Sequence, residues 1–336
     1  MKKILLSIIS TLLCTSFVGT GMLQRTASGI REIKQKDSYT FLVCGIDNAA
    51  ENTDAIIVFN YNVNSNIASF VQIPRDTYFN FENGIDKINS IYPSMKARGK
   101  ESKDAMKSLS NAVSQALNIE IDGFMCFTID AMERLIDAIG GVDINLPYSI
   151  DVKDSDGNNH VVFSEGVHHL NGEDAIRFIR YRAGYALGDL GRIDAQKFFL
   201  SAFVSKLKGA INLKLVAKSA FKTDGGVITD VKLVDILGIA LKLRGRIKEC
   251  NVQYSNLPGV AEQSEDGRWF YFVNKNASYG MLTEMKLTNS SVFDSDEKLL
   301  NSKSNGTIDY YFNNHTKWRI LTESDLLSFS VKEKSA

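Results

Sequence analysis

DAIIVFNYNVNSNIASFVQI, residues 54–73, consists of two apolar runs around a polar centre. Asp54–Asn62 and Ile67–Ile73 are rich in Ile, Val, Phe and Tyr, the composition of strands, and Asn64-Ser65 between them has turn chemistry. A two-residue turn there pairs the strands antiparallel and sets Asp54 opposite Arg75. The loop entering the first strand then meets the loop leaving the second. One holds Gly45-Ile46-Asp47 through Asp54; the other holds Pro74-Arg75-Asp76-Thr77 and continues to Lys87-Ile88-Asn89. A one-residue bulge shifts the pairing but keeps the two loops together.

Strands and helices alternate on either side of this hairpin. Tyr39–Cys44 reads as a strand ending at Gly45, and Lys103–Leu117 carries Met106, Leu109, Val113, Ala116 and Leu117 at helical spacing. Asp130–Ile139 reads as a helix opened by Asp130 and Glu133 in the manner of a capping box and closed by Gly140-Gly141. Val142–Leu146 alternates as a strand. Asn171 opens a further helix, with Glu173 and Asp174 in its first turn, and Asp189–Lys208 forms another. The pattern predicts an α/β fold, a mixed central β-sheet flanked by helices on both sides. The predicted organisation is a membrane-anchoring segment at 1–24, a linker at 25–38, the main domain at 39–288 and a polar tail at 289–336 with one short strand near Tyr310.

The 336 residues carry 39 basic and 39 acidic side chains, a balance that argues against a nucleic-acid binder. The four cysteines are far apart, with no CxxC pair, and a zinc site is not expected. Cys44 and Cys126 lie in strand-like runs and read as buried thiols. Lys2-Lys3 precedes a stretch from Ile4 to Gln24 without a charged residue, close to the roughly 20 residues that span a bilayer. We read it as an uncleaved anchor, the alternative being a cleaved signal peptide. Either way the positive-inside rule puts the folded part outside the cytoplasm.

The charged candidates gather at two places. Asp47 and Asp54, on one loop, suit a Mg²⁺ ion that prefers oxygen ligands and completes its shell with substrate phosphates, and Arg75 faces the same space. The alternative is a structural Asp54–Arg75 ion pair. Arg180-Tyr181-Arg182 ends one predicted helix, and Arg192 and Gln196, four apart, share a face of the next, with Asp189 near it. Gly184, Gly188 and Gly191 let backbone approach a ligand between them. Guanidinium forks suit phosphate. A solvated helix surface laced with ion pairs is the competing reading.

Taken together, FLVCGID, TDAIIVFN, SFVQIPRDTY, DKINSIY, LIDAIGGVDINLP, GVHHLNGEDAIRFIRYR, GDLGRIDAQ and NLPG resemble, in order and spacing from Tyr39 to Met285, the LytR–CpsA–Psr family of cell-wall glycopolymer ligases. The resemblance implies the same α/β sandwich with a hydrophobic lipid pocket. It implies a single-pass membrane protein with its catalytic domain outside the cytoplasm. The implied activity moves a glycopolymer from an undecaprenyl-pyrophosphate carrier to peptidoglycan through a phosphodiester bond, with Mg²⁺ as cofactor. Asp47 and Asp54 resemble the metal-associated positions, and Arg75, Arg180, Arg182, Arg192 and Gln196 the pyrophosphate-contacting ones. Asp54, Arg75 and Arg182 are the expected catalytic residues, with Asp189, Asn52 and Lys87 supporting. Where the family usually has arginine two residues before Asp54, this chain has Asn52, which keeps hydrogen-bonding capacity and loses the charge. A carrier-binding protein with weak or no turnover, or a pyrophosphatase using water as acceptor, are the alternative activities. Candidates for lining a polyprenyl tunnel are Met106, Leu109, Val113, Phe124, Phe127, Leu135, Ile139, Phe178, Phe198 and Phe203, each of which also fits ordinary core packing.

Overall fold

The computed structural model describes residues 36–47, 52–81, 84–146, 149–153, 159–181, 189–209, 226–232, 249–288 and 320–322, with residues 235, 239, 245, 246, 248 and 318 singly. The anchor segment, Tyr310 and Arg182 lie outside them. Among the described residues no helix is long and apolar enough to cross a membrane.

The expected hairpin is strands β2 (Thr53–Asn62) and β3 (Ile67–Ile73), paired antiparallel from Ile56 opposite Ile73 to Asn62 opposite Ile67. This is the register the sequence predicts. The turn differs: Val63–Asn66 form a four-residue loop rather than a two-residue one. Its conformation comes from side chains, since Asn62 Oδ1 accepts the Ser65 amide at 2.9 Å and Tyr61 Oη donates to Asn66 Oδ1 at 2.7 Å. Asn66 adopts φ 53°, which asparagine tolerates better than most residues. Both loops centre between residues 64 and 65, so the register is unchanged.

Strand β1 (Ser38–Ile46) pairs antiparallel with β2 and parallel with β6 (Gly123–Thr128), while β12 (Asn251–Asn256) runs parallel to β3. Short antiparallel strands, β11 (Val227–Thr229) beside β6 and β15 (Leu321–Thr322) beside β12, complete a seven-stranded mixed sheet. Segment 289–336, read as a polar tail, thus returns a strand to the sheet edge, and Trp318 and Ile320 pack on the core. Four mutually parallel strands, β1, β3, β6 and β12, end at one side of the sheet. That side of an α/β sheet is where ligands bind.

The two faces are filled differently. One packs against α1 (Ile91–Ala97), α2 (Ser102–Leu117) and α6 (Lys275–Glu284), and Leu42, Ile56, Val58, Val71, Phe124 and Cys126 on it are at most 1% exposed. Each such aliphatic or aromatic side chain contributes about 1.5–3 kcal/mol. Cys44 and Cys126 are free, buried neighbours on β1 and β6, and burial raises the Cys126 pKa well above its usual value, with a hydrogen bond to Cys44 adding to the shift. On the other face burial grades along the strands. Tyr39, Phe41, Tyr61 and Ala68 are buried, whereas Val43, Ile57, Phe59, Phe70, Met125 and Phe127, nearer the C-terminal ends of β1, β3 and β6, are half-buried. Helix α5 (Asp189–Gly209) lies on this second face through Leu200 and Val204.

Helix α3 (Ile129–Ala138) starts from Thr128, whose hydroxyl accepts the Ala131 amide at 3.3 Å; Asp130 falls inside the first turn rather than capping it. The expected Gly140-Gly141 ending stands, at φ 81° and 75°. Asn171 caps α4 (Gly172–Arg180) as expected, accepting the Asp174 amide at 2.8 Å. A Cβ on Gly172 would sit 2.5 Å from the Glu133 carbonyl, so α3 and α4 touch backbone to backbone there. Gly172→Ala is expected to cost about 1–3 kcal/mol and to lower the melting temperature by roughly 3–10 °C in calorimetry.

Candidate pyrophosphate site at the strand ends

Side chains from β1, β2, β3, α4 and α5 meet beyond the C-terminal ends of β1 and β3. Opposite β2, Gly45 faces Ala55 and Ile46 faces Thr53, which leaves Asp54 as the extra residue of a bulge. Bulges re-aim side chains next to functional sites. Arg75 Nη1 donates to Asp54 Oδ1 at 2.7 Å, with the two side chains 20% and 31% exposed. The hairpin register therefore yields the contact expected from it.

Backbone and hydroxyl bonds lock the converging loops. The Thr53 hydroxyl donates to the Asn89 carbonyl at 3.1 Å, the Asn89 amide to the Arg75 carbonyl at 3.4 Å and the Ile88 amide to the Thr77 carbonyl at 3.0 Å. Thr77, 1% exposed, folds back on Pro74 through both its amide and its hydroxyl. Strands β4 (Tyr78–Phe81) and β5 (Ile85–Lys87) then bring Lys87 beside Asp76, with Nζ 2.8 Å from Oδ1.

The second cluster reaches the same end from above the sheet. Arg180, at the C-terminus of α4, donates from Nη2 to Asp47 Oδ2 at 2.8 Å. Gln196 on α5 accepts from Gln72 Nε2 at 2.7 Å and donates to the Ile179 carbonyl at 3.3 Å, tying β3, α4 and α5 together. Asp47, Asp54, Arg75, Lys87, Arg180 and Gln196 thus come from the expected residues to one end of the sheet. Asn52 accepts the Asp47 amide at 3.2 Å through its carbonyl. Asp189 and Arg192 lie in the first turns of α5, and their side chains are outside the described residues, as is all of Arg182.

Asp76 and Gln72 are the partners that sequence reading passed over. Gln72 had a signal: on the half-buried face it follows Ala68 and Phe70, a polar residue ending an apolar row. Asp76 had only its place beside Arg75. Five tunnel candidates are ordinary core instead. Met106, Leu109, Val113 and Phe124 are at most 1% exposed on the opposite face, and Phe178 is fully buried in the cluster between α4 and the strands beside it. Phe127, Ile139 and Phe203 are partly buried around Leu135, and Phe198 is half-buried on α5.

Among the described residues no group of three His, Cys, Asp or Glu forms a metal cluster. Asp47 and Asp54 are hard oxygen donors of the kind magnesium takes together with phosphate and water, and each is bonded here to an arginine, Arg180 and Arg75. In its present state the site balances each carboxylate with a guanidinium.

The fold is a mixed α/β sheet whose strand ends gather arginine, lysine, carboxamide and carboxylate groups beside a half-buried apolar face. Residues 18–287 match the LytR_cpsA_psr family, and the chain belongs to it. It is 29% identical over 218 residues to the polyisoprenyl-teichoic acid–peptidoglycan teichoic acid transferase TagV of Bacillus subtilis (strain 168), covering 62% of this chain and 53%, about half, of that relative. It is 27% identical over 245 residues to the enzyme named TagU of Oceanobacillus iheyensis, covering 72% of this chain and 73% of the relative. A solved structure of TagT bound to LIIa-WTA superposes with a TM-score of 0.57 at 25% identity, over 76% of this chain and 94% of the other.

Arg180 is half-exposed, whereas Arg75 and its partner Asp54 are only 20% and 31% exposed, which places the Arg75 pair between surface pairs worth about 1 kcal/mol or less and buried ones whose breaking costs about 3–5 kcal/mol. Arg75→Ala is therefore expected to cost about 1–3 kcal/mol and to lower the melting temperature by roughly 3–10 °C. A larger drop in thermal denaturation assigns Arg75 to the fold rather than to a ligand.

Proposed function

We propose that the chain is a membrane-anchored, extracytoplasmic phosphotransferase that moves a glycopolymer from a polyprenyl-pyrophosphate carrier to peptidoglycan. The observation that carries this reading is the continuity of the arginine-bearing strand ends with the half-buried apolar strip of Val43, Ile57, Phe59, Phe70, Met125 and Phe127. A pyrophosphate attached to a long hydrocarbon needs both surfaces, adjoining. The names of the relatives, which act on polyisoprenyl-linked teichoic acid and peptidoglycan, support the same substrate classes.

Phosphoryl transfer asks a protein for charge neutralisation and in-line positioning rather than a covalent nucleophile. Arg75 and Arg180, with Arg182 and Arg192, hold the two phosphates, and Gln196 holds α4 and α5 in place around them. A sugar hydroxyl of peptidoglycan attacks the phosphorus that bears the glycopolymer, and its proton passes to one of the two carboxylates. The bridging P–O bond breaks, and polyprenyl phosphate leaves with the bonding electrons, its charge met by the arginines. Magnesium bound by Asp47 and Asp54 would neutralise charge on the pyrophosphate oxygens.

A second reading, a carrier-binding protein without turnover, is favoured by one observation, the neutral Asn52 in place of the family's usual arginine. Transfer from a lipid-pyrophosphate donor to peptidoglycan fragments, measured with the full chain in detergent, separates the two. Turnover that EDTA abolishes and Mg²⁺ restores is expected; tight lipid binding without turnover establishes the second reading. Arg75→Ala and Arg182→Ala are each expected to lower transfer on the order of a hundredfold or more, and unchanged transfer in both rejects the site assignment.

A further inference from the structure

Asp54, Arg75, Asp76 and Lys87 form a row of alternating charge beyond the end of β3. Asp76 stands between two cations. Its Oδ1 accepts from Lys87 Nζ at 2.8 Å, and its Oδ2 lies 3.5 Å from Arg75 Nε. Because Arg75 Nη1 is simultaneously on Asp54, the planar guanidinium lies between two carboxylates, hydrogen-bonded to Asp54 and ion-paired at longer range with Asp76. Lys87 is likewise held twice, by Asp76 and over the ring of Phe270 at 5.2 Å, a side chain only 4% exposed.

The carboxylate in the middle sits on fixed backbone. The Asp76 carbonyl accepts the Tyr271 amide at 2.8 Å, the next residue, Thr77, bridges to Tyr271, and the turn back to Pro74 closes the other side. Asp76 therefore sets where the cations stand. With Arg75, Asp76 and Lys87 only 20%, 27% and 20% exposed, solvent screens this arrangement less than it would at an open surface.

We infer that Asp76 is a positioning residue for the transfer reaction: it fixes Arg75 and Lys87 relative to one another so that both meet the same phosphate, without itself touching the donor. The inference rests on the transferase reading above. Its signature is a separation of binding from turnover. Asp76→Asn removes one negative charge and the contact that Arg75 and Lys87 share, leaving each with its other partner alone, so an anion binds at least as well while the relative placement of the two cations is lost.

The test compares the full chain with Asp76→Asn and Asp76→Glu, using farnesyl pyrophosphate as the binding probe. Calorimetric affinity of Asp76→Asn is expected to equal or exceed that of the parent, while kcat for transfer falls about tenfold or more; Asp76→Glu recovers part of the loss. Saturating farnesyl pyrophosphate is expected to protect Lys87 from acetic anhydride in the parent and to fail to do so in Asp76→Asn, read by mass spectrometry. Full turnover in Asp76→Asn, retained protection of Lys87, or binding lost together with turnover each overturns the inference. A parent chain that binds the probe but shows no transfer rejects the transferase reading instead, and Lys87 protection then decides the role of Asp76 alone. If Asp76→Asn melts early, Asp76→Asn/Lys87→Met replaces it: a loss no greater than that of Lys87→Met is expected, and a clearly larger one counts against the inference.

Discussion

The antiparallel pairing of β2 with β3 is the constraint on which the rest of the site depends. Its register brings the start of β2 and the end of β3 to one place, and the bulge against β1 sets Asp54 apart from the regular ladder there. Slipping the pairing by one residue would turn every side chain of a strand to the opposite face. Here one face is a dry core and the other a half-buried strip ending in Gln72, so a slip would bury Gln72 in the first and expose Val71 in the second. The hydrophobic pattern thus protects the register, and the register protects the Asp54–Arg75 contact.

The site holds its cations by internal carboxylates, and this has an electrostatic consequence. Arginine left unpaired would repel its neighbours and sample many rotamers, at a cost in entropy when a ligand orders it. Paired to Asp47, Asp54 and Asp76, the guanidinium and ammonium groups are already oriented. A phosphate bound as proposed would meet groups that reorganise little, the condition under which fixed charges act most strongly on a developing one.

Much of this was legible in the sequence because it is local or periodic. Two-residue alternation and a polar centre located the hairpin and its register; Asn171 announced α4; Gly140-Gly141 announced the end of α3. The remainder was non-local. The register alone does not reveal loop length, since two- and four-residue turns centred between residues 64 and 65 give the same pairs. Helical spacing of Met106, Leu109 and Val113 showed that α2 buries a stripe, but not which face of the sheet receives it. Strand β15 owes its existence to the edge of β12 rather than to its own two residues, and Asp76 acquires its meaning only when β5 brings Lys87 alongside.

Strand β1 links the site to the chain that precedes it. Its C-terminal end delivers Asp47, while its N-terminal end, nine residues away, is where residues 25–37 join, and there Lys36 is pinned to Glu120 and Asp122. Nine strand residues span roughly 30 Å. A domain standing upright on an N-terminal membrane tether would hold its pyrophosphate site that far from the headgroups, beyond reach of a carrier whose hydrocarbon stays in the bilayer. Eleven residues, 25–35, acting as a linker would extend at most roughly 35–40 Å, enough for a tethered domain to tip over and lay the strand ends against the membrane. On the proposed function, the length of such a tether and the direction of a single strand would together set the posture in which the domain meets a lipid.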